Sequence, residues 1–311
     1  MDINGLFRLL PEERLITFSS IEETEEVINQ FGIQQSLIQI KPGKFKYHIA
    51  SNDFNNFSVI SERINLPIIG SYVVPKEVIT IQLSRPEPCG EFYLFGKDNK
   101  NIISVIPHNY QVDMKSKGRT GTDSIVIPVD KFNGLIKKLN IEHIDVTQPF
   151  SIKINSPEFN YWQAKICALL RFDPILDSEL AENTLMLLIQ LIFERYVGEQ
   201  GNSFFENTKQ RAIARLTQEY IYEHYREKIT IAQLCEVICV SSRTLQRCFK
   251  GYFNISIFEF IELYRLNMAH NLLPYNSVSS TAHMVGYQHL GRFSTKFNKL
   301  FKSPARELTK F

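Results

Sequence analysis

The last 103 residues, Lys209–Phe311, contain one arrangement twice: a short helical stretch, a tight turn, then a longer amphipathic stretch rich in Arg, Lys and Gln. In the first copy Thr230-Ile-Ala-Gln233 has the spacing of a capping box, so a helix starts there and runs to about Ile238. Ser241 and Ser242 then offer a fresh N-cap ahead of Arg243–Lys250. The second copy has a short helix over Val278–Val285, a turn at Gly286-Tyr287, and a helix over His289–Phe301. The longer helices begin 48 residues apart. Between them Ser256 to about Leu273 reads as one helix, about 27 Å long at 1.5 Å per residue. That approaches the roughly 34 Å between successive major grooves on one face of B-DNA, so one domain could reach two of them.

The polar faces of the longer helices carry suitable chemistry. In the first, Leu245, Cys248 and Phe249 fall inward, leaving Arg243, Gln246, Arg247 and Lys250 outward beside Ser241 and Ser242. Arginine can pair bidentately with guanine and glutamine with adenine, and lysine suits phosphate. In the second, Leu290, Phe293, Phe297 and Leu300 are expected inward and Gly291, Arg292, Thr295, Lys296 and Lys299 outward. Charge points the same way. Residues 209–311 hold 15 Lys and Arg against 7 Glu and no Asp, a net +8, whereas the first 208 residues hold 20 basic and 26 acidic groups, a net −6. A basic module on an acidic body is the footprint of nucleic-acid binding, although solvated helix faces would also be charged.

The first half is built differently. Short apolar or alternating runs recur at Ser36–Ile40, Phe57–Ile60, Tyr72–Val74, Val78–Leu83, Phe92–Phe95, Ile102–Ile106 and Ser124–Val129. They are separated by turn signals such as Lys41-Pro42-Gly43 and Lys115–Thr122, with no helices interleaved, which predicts an antiparallel sandwich or open barrel. A short helix is expected over Asp130–Asn140. Two helices follow, one opening with Ser156 as N-cap and Pro157 at its first position, the other from about Asp177 to Val197. The second carries Leu180, Leu185, Leu188, Leu191 and Ile192, so it needs a partner: the preceding helix, a second subunit, or both. Gly198–Asn207 reads as the linker. Phe45, Tyr47, Phe54 and Phe57 could line a pocket, but aromatic side chains on strands are more often core. No apolar run is long enough to cross a membrane, no signal peptide is evident, and five cysteines without a CxxC pair argue for reduced thiols; a cytoplasmic protein is expected.

Residues 209–311 resemble the DNA-binding domain of the AraC/XylS family of bacterial transcription regulators. The resemblance rests on Ile231–Cys235, Ser241–Lys250, Tyr264–Ala269, Val285-Gly-Tyr287, Arg292-Phe293 with Phe297, and Ser303-Pro304, in order and at matching separations. It implies an α+β chain: a cupin-like effector-binding β domain over residues 1–150, a dimerising helical hairpin over 151–200 using Leu180, Leu188 and Leu191, a linker at 201–208, and an all-α domain with two helix-turn-helix motifs over 209–311. It further implies an activator without enzymatic activity or cofactor, whose partners are double-stranded DNA, a second copy of itself, RNA polymerase and possible small-molecule effectors. Three departures stand out. Cys239 occupies a turn position where the family usually has glycine, so either it adopts a positive φ at some cost or the turn differs. Thr295 replaces a usual arginine, and Phe301–Pro304 is a residue short of the usual spacing.

The competing expectation is a cupin-type metalloenzyme carrying an accessory DNA-binding domain. His48, His108 and His143 are scattered, and HExxH, phosphate-loop and nucleophile-elbow motifs are missing, so no metal or catalytic residues are assigned.

Overall fold

A computed structural model describes residues 15–30, 32–86, 90–141, 146–198 and 209–309. The expected linker, apart from Gly198, and His143 lie outside the described residues. By contact density the chain divides into two compact units. The first holds residues up to Ser36, Lys46–Asn65, and Ser71 onward through the helical hairpin; the second holds Leu37–Phe45, Leu66–Gly70 and the C-terminal helices.

Twelve strands lie in the described residues: β1 (Leu15–Phe18), β2 (Gln35–Gln39), β3 (Tyr47–Asp53), β4 (Ser58–Ile64), β5 (Ile68–Val73), β6 (Val78–Pro86), β7 (Glu91–Leu94), β8 (Lys97–Asp98), β9 (Ile102–Ile106), β10 (Gln111–Lys117), β11 (Thr120–Pro128) and β12 (Phe150–Lys153). They form a seven-stranded sheet, β1-β3-β4-β11-β6-β9-β12, and a five-stranded sheet, β2-β5-β10-β7-β8. The seven expected strands are all present. β1, β3, β8, β10, β12 and the helix α1 (Ile21–Gln30) were not expected. β10 runs into the stretch read as a break because its last buried residues, Lys115 and Ser116, are polar and carry on past the apolar Val112 and Met114; the turn itself is confined to Gly118 at φ 87° and its neighbours.

The centre of the large sheet is buried on both faces, and the two faces differ in chemistry. On β6, Ile79, Ile81 and Leu83 alternate with Thr80, Gln82 and Ser84, all buried. The apolar face also takes Val59, Ile103, Val105, Ile125 and Ile127. It is covered by α2 (Val129–Lys138), α3 (Ser156–Leu169) and α4 (Ser178–Gly198) through Phe132, Trp162, Ile166, Leu185, Leu188 and Ile192. Phe54 and Phe57 belong to this core, their rings 4.9 Å apart. At its margin a buried ion pair joins Arg63 to Asp123 at 2.9 Å. Gly121 makes room for it: a Cβ there would stand 2.7 Å from the Arg63 side chain and 2.2 Å from a backbone oxygen. The N-cap of α3 is Asn155, one residue before the expected Ser156, because the Asn155 side-chain Oδ1 accepts from Glu158 N at 2.9 Å; Ser156 and Pro157 then open the helix.

The second unit contains α5 (Lys209–His224), α6 (Ile231–Ile238), α7 (Ser242–Phe253), α8 (Ile257–Leu272), α9 (Val278–Met284) and α10 (Leu290–Phe301). Its core is aromatic: Phe249, Phe253, Phe260, Phe293 and Phe297 are almost wholly buried, joined by Ile38 and Ile69 from the two N-terminal segments.

Candidate nucleic-acid interface

The first helix-turn-helix is fixed at each joint by local chemistry. Thr230 caps α6 in a complete capping box: its hydroxyl accepts from Gln233 N, and the Gln233 side chain accepts from Thr230 N at 2.9 Å. Cys239 ends α6 in the left-handed region, at φ 56° and ψ 45°, so of the two expected alternatives it is the positive φ that this residue adopts. Ser241 then caps α7 by accepting from Thr244 N at 3.3 Å. With the helix anchored there, Leu245, Cys248 and Phe249 are buried, and Arg243, Gln246, Arg247 and Lys250 are exposed with Ser241 and Ser242. The Gln246 amide donates to the Ser242 hydroxyl at 2.9 Å, laying its side chain along the exposed face.

The second motif has the same layout and a poorer set of groups. Ser277 caps α9 by accepting from Ser280 N at 3.2 Å, and Gly286 makes the turn at φ 84°. Two reasons require glycine there, the positive φ and a backbone oxygen of Arg226 that would lie 2.7 Å from any Cβ. On α10, Phe293, Phe297 and Leu300 are buried as expected. Leu290 is not: it is 45% exposed, because it opens the helix before the chain has turned onto the core. Gly291, Arg292, Thr295 and Lys299 are exposed. The Thr295 hydroxyl donates to Gly291 O at 2.9 Å, into its own helix, and Lys296 is half-buried in an ion pair with Glu262 at 2.9 Å. Lys302 closes α10 in the left-handed region, which forms the final turn without glycine.

Two residues of the Tyr264–Ala269 stretch have roles that periodicity could not reveal. Arg265 donates to Tyr225 O and Glu227 O, both at 2.6 Å, and to Gly286 O at 3.4 Å, so one guanidinium ties the end of the first helix region to the second turn. The Asn267 side chain accepts from Gln39 N at 3.0 Å and donates to Gln39 O at 3.1 Å, pairing with both backbone groups of a β2 residue as a neighbouring strand would. The Gln39 amide in turn donates to Leu300 O at 3.2 Å, near the end of α10.

On the helical hairpin, the leucines separate by helical phase. Leu180 is 55% exposed, Leu191 is half-buried against the core, and Leu188 is 1% exposed inside it. Among the described residues no three His, Cys, Asp or Glu side chains are grouped as metal ligands would be, and no helix is long and apolar enough to cross a membrane.

Residues 234–310 match the family model described as a helix-turn-helix domain. Among solved structures, the chain is similar to a probable AraC family transcriptional regulator from Rhodopseudomonas palustris CGA009, at 29% identity and TM-score 0.30, over 31% of this chain and 94% of that one. It is similar to the C-terminal domain of the two-component response regulator yesN from Fusobacterium nucleatum, at 27% identity and TM-score 0.29, over 31% and 96%. ToxT from Vibrio cholerae aligns over 89% of this chain and 97% of its own, at 12% identity and TM-score 0.31.

Proposed function

From the AraC/XylS-type helix-turn-helix domain that the C-terminal part of this chain carries, we infer a transcription regulator that binds DNA sequence-specifically and acts as an activator. α7 and α10 enter two successive major grooves, and the N-terminal unit controls the outcome through a small molecule or through oligomerisation. The observation that carries this reading is α7: Arg243, Gln246, Arg247 and Lys250 are exposed together, on the side opposite Leu245, Cys248 and Phe249. Nothing in the packing of that helix requires three groups able to read bases, whereas a major groove does. The protein pairs as a homodimer through the exposed side of α4 around Leu180, with Leu191 at its margin, and Leu188 supports the hairpin from within. It works in the cytoplasm, alongside RNA polymerase, and has no catalytic role.

The deciding experiment selects bound sequences from a random DNA pool with the full chain, then measures affinity against salt. A selected site should emerge, with affinity falling steeply as salt rises because bound lysines and arginines release counterions from phosphates. Arg243→Ala, Gln246→Ala and Arg247→Ala should each cost about 1–3 kcal/mol on the selected site and much less on random DNA, and Lys250→Ala should weaken both alike. A folded protein that enriches no sequence and holds DNA no better than a neutral protein would sink the reading.

A further inference from the structure

The polar face of the large sheet in the N-terminal unit contains more chemistry than packing needs. Strand register sets Glu62 of β4 beside Thr122 of β11, and Thr122 beside Ser84 of β6. One step along, Ser124, Gln82, Ser104 and Ser151 form a second continuous row across four strands. Tyr72 of the five-stranded sheet reaches across to this band, its hydroxyl donating to Gln82 Oε1 at 3.2 Å. Glu62 is the centre of the group: Tyr47 Oη donates to its Oε1, and Thr122 Oγ1 donates to its Oε2 at 2.6 Å.

A tally of hydrogen-bonding capacity identifies what this group lacks. The hydroxyl protons of Tyr47, Thr122 and Tyr72 are all engaged, whereas each carboxylate oxygen of Glu62 can still accept. Gln35, whose side chain is hydrogen-bonded to Tyr47, has its own Oε1 buried with no donor facing it. Glu62 forms no ion pair among the described residues, and its charge acts on both Tyr47 and Tyr72. The cluster is therefore short of N–H donors and of positive charge. It is also reachable. Glu62 and Tyr72 keep accessible surface, although the Tyr72 phenol is enclosed enough for burial to push its pKa far upward. Gln35 lines a cleft of about 480 Å³ with Asn29, Gly32 and Gln34.

We propose that Glu62 and Gln35, which Tyr47 joins by hydrogen bonds, bind a small organic cation, a primary ammonium or guanidinium compound, with Glu62 as its counter-ion. The cation donates to the free lone pairs of Glu62 and to Gln35 Oε1. The inference rests on the reading of the N-terminal unit as the sensing half.

The test is calorimetric titration of the full chain with 1,4-diaminobutane and 4-guanidinobutylamine, set against 1,4-butanediol and butanoate. One cation should bind per chain while the diol and the acid do not, and Glu62→Gln should raise its Kd about tenfold or more, as expected for loss of a charge-assisted hydrogen bond. If Glu62→Gln fails to fold, Gln35→Met decides, since its half-exposed position tolerates an apolar side chain and its loss should still weaken the cation. Equal binding of the diol, undiminished binding by the variants, or no binding by either cation overturns the proposal. DNA affinity of the same preparations separates the two ideas: intact DNA binding without cation binding removes only the ligand class, and cation binding that leaves DNA affinity unmoved removes only the sensing role.

Discussion

Cys239 makes the first turn in a conformation that L-residues adopt at a cost of roughly 1–2 kcal/mol, and its exposed thiol contributes only a weak hydrogen bond to Glu236 O at 3.5 Å. Cys239→Gly should therefore raise the thermal stability of the C-terminal unit, by about 1 kcal/mol once the extra chain entropy of glycine is subtracted, with α7 unmoved. A second single-residue effect belongs to His270, stacked on Phe297 and tilted against Phe301 with ring centroids 6.1 and 4.7 Å away. Burial lowers its pKa from 6.5 to about 4, so the folded form keeps the ring neutral while the unfolded chain protonates it. The unfolded state then binds more protons between pH 6.5 and about 4, and stability falls as pH falls through that window, by about 3 kcal/mol in all. Denaturant melts at pH 7 and pH 4.5 should show the loss, and His270→Phe should reduce it; an equal loss in that variant would assign the pH dependence elsewhere.

Between elements, the contrast of interest is α7 against α10. α7 offers Arg243, Gln246 and Arg247, all exposed, whereas on α10 Gly291 has no side chain, the Thr295 hydroxyl is turned into its own helix and Lys296 is held by Glu262. Base substitutions in the half-site under α7 should cost about 1–3 kcal/mol each and those under α10 less, with Arg292 the one position there able to select guanine. A binding matrix with equal information in both halves would contradict this and transfer the reading to backbone groups or DNA shape. The same elements explain what could be read in advance. Both motifs were legible because local rules set them: Thr230 and Ser241 cap where a helix must start, and Leu245, Cys248, Phe249, Phe293 and Phe297 repeat at helical spacing. Leu290 was misplaced because the pattern cannot say where along its first turn a helix meets the core. β10 was missed because Asp113, Lys115 and Ser116 are buried in it beside only two apolar residues, Val112 and Met114, and the donor-poor cluster at Glu62 went unseen because its members come from separate strands and meet only through register. Arg265 and Asn267 stood within a matching motif, yet their partners are backbone atoms distant in sequence.

At the scale of the whole chain, the C-terminal compact unit is not a contiguous stretch of sequence. Residues Leu37–Phe45 and Leu66–Gly70 contribute Ile38 and Ile69 to its core, each worth about 1.5–3 kcal/mol when fully buried. The fragment Lys209–Phe311 is expected to bind DNA but to melt below the same unit in the intact protein, and differential scanning calorimetry of the two would register the difference; identical melting would mean these isoleucines add nothing. Asn267 extends the point to a single proton. β2 is the outermost strand of its sheet, and an N–H on an outermost strand commonly exchanges with solvent quickly. The N–H of Gln39 instead ends on a side-chain oxygen that is itself buried, so its deuterium uptake is timed by the opening of α8 rather than by the strand. That one backbone amide, followed by mass spectrometry, is a clock inside the C-terminal unit whose rate can be compared with and without DNA.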